Sequence, residues 1–140
     1  MQRGRRIAFD YGDARIGVAV CDPDGIMSSP LAVLRSEDKK LQSEIEKIVA
    51  EYEPVQIFIG LPKHLSGVES SSAEKARKFG AMIAELTSIE IVYIDERLST
   101  VSAQSKLREA GKSTRESKEL IDAMAAVEIL ELGLQSARSS

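Results

Sequence analysis

Ile7-Ala8-Phe9-Asp10-Tyr11-Gly12-Asp13-Ala14-Arg15-Ile16-Gly17-Val18-Ala19-Val20 is the stretch whose reading decides the fold. β-Branched and aromatic residues on both sides of Gly12-Asp13 predict two antiparallel strands joined by a short turn. Alternation places Ile7, Phe9 and Tyr11 on one face and Ala8 and Asp10 on the other. A carboxylate inside a strand is costly to bury without a partner, and its small neighbour leaves room for something to bind. From these residues alone two readings of Asp10 stay open. It either caps the turn or meets an arginine such as Arg15, or it is an acid that holds a ligand.

Working outward, Asp22-Pro23-Asp24-Gly25 is a turn, and Pro30 to Leu34 predict a third, antiparallel strand. Leu41, Ile45, Ile48, Val49 and Tyr52 recur with the period of an amphipathic helix, which Pro54 ends. The apolar run Val55 to Gly60 suits a central strand buried on both faces. Ser71 and Glu74 form a capping box for a helix with the stripe Ala76, Phe79, Ile83 and Leu86. Ile89 to Ile94 predict a last strand, running into Asp95-Glu96-Arg97-Leu98-Ser99-Thr100. Ser99 caps a helix expected to close at Gly111, and Ser113 with Glu116 opens a final helix carrying Leu120, Ile121, Met124, Val127 and Leu132. The order is β-β-β-α-β-α-β-α-α, an α/β chain with a mixed five-stranded sheet flanked by helices. Right-handed crossovers between parallel strands would gather the ends of the Asp10, Gly60 and Asp95 strands, where α/β sheets generally bind ligands.

The totals bound the function. The 140 residues, 43% hydrophobic and 29% charged, predict one globular domain over 1–140 with a frayed small-residue tail at 135–140. A net charge of -3 offers no global attraction for nucleic acid, so any phosphate-binding surface is local or borrows its charge from cations. No apolar run spans a bilayer and no signal peptide precedes the first strand, which predicts a cytoplasmic protein that makes no membrane contact. The single cysteine, Cys21, excludes an internal disulfide framework and reads as a half-buried strand-end residue. Three Tyr, three Phe and no Trp give no stacking platform for single strands.

Three acids stand out by position: Asp10 in the first strand, Glu96 after the last strand and Asp122 early in the final helix. Ala123, Ala125 and Ala126 let that helix lie close to the sheet. Converging carboxylates raise at least one pKa unless cations neutralise them. Hard divalent ions with oxygen ligands are the usual solution, and two of them about 4 Å apart activate a water and stabilise a leaving phosphodiester oxygen. The bland reading pairs Glu96 with Arg97 or Arg108 and leaves Asp122 as an acid favoured by the helix dipole.

Asp10-Tyr11-Gly12-x-x-Arg15-Ile16-Gly17-Val18-Ala19, Gly60-Leu61-Pro62, Asp95 to Thr100 and Lys118-x-x-x-Asp122-x-x-Ala125-Ala126 stand in this order. In that order and spacing the chain resembles the YqgF/RuvX family of pre-16S rRNA nucleases and Holliday junction resolvases, from about Ile7 to Leu132. The resemblance implies a ribonuclease H-like fold and Mg²⁺- or Mn²⁺-dependent cleavage of phosphodiesters by two metal ions. It implies that Asp10, Glu96 and Asp122 are both the catalytic and the metal-binding residues. Arg15, Gly60, Lys63, His64, Arg97 and Lys118 become the substrate-binding candidates, with Gly60 admitting substrate backbone and the arginines touching phosphate. The expected partner is structured RNA or branched DNA, with 5′-end processing of pre-16S rRNA preferred over junction resolution, for a monomer or homodimer. The alternating signs of Arg115-Glu116-Ser117-Lys118-Glu119 weaken the case for tight duplex binding there. The Asp-x-Gly hairpin also resembles the first phosphate loop of actin-like ATPases and sugar kinases, which need two such domains. The stronger rival is a non-catalytic nucleic-acid-binding or ribosome-assembly module.

Overall fold

The computed structural model describes residues 1–62, 66, 71–98 and 115–139. Strands β1 (Arg6–Tyr11), β2 (Arg15–Cys21) and β3 (Ser28–Arg35) precede helix α1 (Leu41–Tyr52), strand β4 (Gln56–Leu61), helix α2 (Ser71–Leu86) and strand β5 (Glu90–Asp95). A single 3₁₀ turn, Glu96–Leu98, follows β5, and helix α3 (Arg115–Arg138) closes the chain. The sheet order is β3-β2-β1-β4-β5. β1 pairs antiparallel with β2 and parallel with β4, which pairs parallel with β5. The helix expected between Ser99 and Gly111 lies outside the described residues.

The opening hairpin closes where the sequence places its turn. The Gly12 amide donates to the Arg15 carbonyl at 3.0 Å, and Asp10 lies opposite Gly17. Helix α1 stops because Glu53 adopts a left-handed conformation (φ 44°), from which its amide donates back to the Val49 carbonyl at 2.9 Å. That turns the chain before Pro54 can interrupt a helical bond.

The two faces of the sheet are packed differently. On one, Ile7, Phe9, Ile16, Val18, Ile57 and Ile59 meet Ile45 of α1 and Ala76, Phe79 and Ile83 of α2. Phe9 and Phe79 pack edge to face with centroids 5.5 Å apart. On the other, Ala8, Ala19, Cys21 and Phe58 meet Ala126, Ile129, Leu130 and Leu134 of α3. β1 and β4, buried on both faces, therefore supply side chains to two separate cores.

Helix α3 departs from the expected pattern. Leu120, expected on its buried stripe, is exposed, and the residues facing the sheet are Ala123, Ala126, Ile129, Leu130 and Leu134. The reason is close approach: alanines face the strands where helix and sheet nearly touch, and larger side chains fill the gap further along. The helix runs to Arg138, whose guanidinium donates to the Gly25 carbonyl in the β2–β3 turn. Cys21 is buried and accepts the Arg6 amide at 3.2 Å, rather than standing half exposed. Among the described residues no helix is long and apolar enough to cross a membrane.

Candidate active site

The site is built from the carboxyl ends of the parallel strands. β1 ends with Asp10 on the α3 face, two residues on from Ala8 of that face's core. β4 carries Gly60 beside it, paired with Ile94 of β5. Glu96 follows directly after β5, two residues past Ile94, and so points to the same face. The first turns of α3 cross this edge and bring Asp122 over β2.

Two glycines permit that crossing. A Cβ on Gly17 would collide with the backbone carbonyl of Asp122, so the helix rests directly on β2 at that residue. A Cβ on Gly60 would stand 2.8 Å from the Glu96 Oε1. The space above Gly60 is thus occupied by the Glu96 carboxylate and Ile129. Gly17 was not singled out by the sequence reading, although a glycine inside a strand does signal a close backbone approach.

The structure brings Asp10 and Glu96 into contact. Burial, then the charge of Glu96, a hydrogen bond to it and the charge of Asp122 together hold the Asp10 carboxyl well above the usual carboxylate range. Burial raises Glu96 as well, and the hydrogen bond from Asp10 pulls it partly back. Both shifts have one physical cause, two carboxyl groups held in contact under burial. Two oxygen ligands forced together in this way are a donor set that suits a hard cation.

Asp122 stands apart from this pair. Its Oδ2 accepts the Arg15 Nε–H at 2.6 Å, with both side chains about three-quarters buried. Among the described residues no three acid, histidine or cysteine side chains are grouped closely enough to hold a metal ion. The Arg97 guanidinium pairs with Asp95, Nη2 to Oδ2 at 2.6 Å. Lys118 is exposed on α3. Lys63 and His64 lie outside the described residues, as do Lys106, Arg108 and Lys112. A cleft of about 250 Å³ lined by Tyr11, Phe79, Met82, Lys75 and Lys78 is on the opposite face of the sheet, away from the acids.

Comparison with known proteins decides the family. The sequence profile of RuvX, described as Holliday junction resolvase, matches residues 4–136. The chain belongs to this family. A Streptomyces coelicolor member named "Putative pre-16S rRNA nuclease" is 42% identical, the match covering all of this chain and 85% of that one. A Rhodopirellula baltica member of the same name is 39% identical over 96% of this chain and 79% of its own. Among solved structures, Thermus thermophilus RuvC in complex with Holliday junction substrate superposes with a TM-score of 0.60 at 14% identity, covering 98% of this chain and 97% of that one. The fowlpox virus Holliday junction resolvase gives 0.52 at 12%, covering 97% and 99%. At those identities the likeness concerns the fold, which is the ribonuclease H-like one implied by the motif order.

Proposed function

We propose that this chain is one nuclease domain over its whole length, a divalent-cation-dependent endonuclease that hydrolyses phosphodiester bonds in the 5′-end processing of pre-16S rRNA. The observation that carries this reading is the buried contact of Asp10 with Glu96 at the end of the parallel strands, with Asp122 across from them. Neighbouring buried carboxylates weaken a fold unless they have a use for cations. Asp10, Glu96 and Asp122 would hold Mg²⁺ or Mn²⁺. Bound there, two such ions would supply the positive charge that activates a water and stabilises the leaving oxygen. They would also offset the chain's net charge of -3 as a polyanion approaches.

The chain's own residues do the rest. Asp10 and Glu96 would hold a cation that offsets the repulsion between their carboxyl groups and favours the charged form of both. Arg15 and Arg97, each paired with an acid, would offer guanidinium groups to an incoming phosphate. Lys118, exposed on the same helix as Asp122, adds charge along the approach. Protein contacts of this kind fix register and orientation without reading sequence, which suits a structured substrate. The cytoplasm, where the ribosome precursor is made, is the proposed place of action.

The names of relatives at about 40% identity favour RNA. The family description favours the second reading, resolution of a four-way DNA junction. Purified protein and Asp10→Asn are compared on a precursor rRNA leader and on a four-way junction, with Mg²⁺, Mn²⁺ or EDTA. The expected result is metal-dependent cleavage of the leader, reduced roughly 10²–10³-fold by Asp10→Asn, the range for losing one group that stabilises transition-state charge. Cleavage indifferent to EDTA or to the substitution would sink the metal-nuclease reading. Binding without cleavage of either substrate would favour a ribosome-assembly module instead.

A further inference from the structure

The Arg15–Asp122 pair joins residues 107 positions apart in the chain, and it engages one of the three acids assigned to cations. We propose that Arg15 is a tethered counter-cation, a positioning residue that holds the Asp122 carboxylate in the metal-free protein and competes with the divalent ion for it. This rests on the metal-binding reading of the three acids above.

Three features of the pair support an exchange rather than a fixed strut. The Asp122 main chain already lies against Gly17, which is paired with Asp10 across the hairpin. The Asp122 carboxylate needs only a side-chain rotation to change partner. The Arg15 main chain is likewise pinned, its carbonyl accepting the Gly12 amide at 3.0 Å and its residue lying opposite Arg35 of β3, so only the guanidinium swings. The pair is also mostly shielded from solvent, where salt screens an ion pair least. A cation entering beside Asp10 and Glu96 meets Asp122 already within electrostatic reach of Asp10 but neutralised by a fixed positive group. Removing that group should make the ion bind more tightly, not less.

The test is titration of purified protein with Mn²⁺ alone, read by calorimetry, with each variant first checked for a cooperative melt in EDTA. Arg15→Gln should tighten Mn²⁺ roughly five- to tenfold, the lower part of the range for coupled sites. Arg15→Lys, which keeps the charge, should bind as the unsubstituted protein does. Should Arg15→Gln melt before it can be titrated, Arg15→Met keeps the stem's packing and takes its place. The deciding arm is Arg15→Gln in an Asp122→Asn background, where no gain should remain. A gain that survives there is long-range electrostatics and overturns the exchange. Unchanged affinity in Arg15→Gln overturns the exchange while leaving the nuclease reading intact. Absence of Mn²⁺ binding by the unsubstituted protein overturns both.

Discussion

The two faces of the sheet are made by the same strands and do opposite work. The face under α1 and α2 is filled by large branched and aromatic side chains, Ile7, Phe9, Ile57, Ile59, Phe79 and Ile83, all nearly or fully buried. The face under α3 carries Ala8, Gly17, Ala19 and Gly60 beside Phe58, and the helix meets it with Ala123 and Ala126 near Asp122 and with Ile129, Leu130 and Leu134 further along. Bulk on the first face gives dispersion contacts and apolar burial. Lack of bulk at Gly17 on the second lets the helix backbone come down onto the sheet at Asp122. Stability is concentrated on one side of β1 and β4, and tolerance of buried charge on the other.

The sharpest way to break this comparison is Phe9→Ala, on the packed face. It should cost about 3–5 kcal/mol, the range for deleting a buried phenyl, seen as a large fall in the denaturation midpoint. The folded fraction should retain its cation affinity, since the acids lie across the sheet. A fall in Mn²⁺ affinity equal to the fall in stability would show that the faces are not separable. Next comes Gly17→Ala, on the acid face. Its Cβ would overlap the Asp122 carbonyl, and overpacking of this kind typically costs about 1–3 kcal/mol. Unlike Phe9→Ala, it should also weaken Mn²⁺ binding by displacing Asp122. A neutral effect on both would mean that α3 has slack at this crossing.

The smallest expected effect has the opposite sign. The Asp10 pKa is raised in the folded protein, so the folded state binds more protons than the unfolded one from the ordinary carboxylate range upward. Its contribution to stability is thus present in acid and lost as pH rises through the folded value. In EDTA, Asp10→Asn should leave the melting temperature nearly unchanged near pH 4 and raise it at pH 8 by about 3 °C, what roughly 1 kcal/mol is worth at this size. A lower melting temperature at pH 8 would mean that the ionised carboxylate is held by a structural partner.

Much of this was legible in the chain, because periodicity is local. The alternation from Ile7 to Tyr11, the helical spacing from Leu41 to Tyr52 and the stripe Ala76, Phe79, Ile83 each report which side of an element is apolar, and the sheet uses them so. The convergence of Asp10 and Glu96 followed from strand ends and crossover handedness. The stripe of α3 was misread for a physical reason: where a helix nearly touches a sheet, the buried residues are the small ones. Hydrophobicity then points to the wrong side, as at Leu120. The contact of Arg138 with the Gly25 carbonyl, 113 residues away, is one that no local pattern reports.

The opening hairpin, the apolar sides of β1, β4, α1 and α2, and the three acids in their motif order are determined by sequence alone, since each depends on neighbours within one element or on a fixed order of elements. Which cation Asp122 meets was decided only by tertiary structure. Arg15 lies five residues from Asp10 yet reaches Asp122, 107 positions along the chain. Adjacent side chains on a strand point to opposite faces, so nearness along the chain says little about contact. The seat of α3 on Gly17, set by the packing of helix against sheet, decides where the third acid stands.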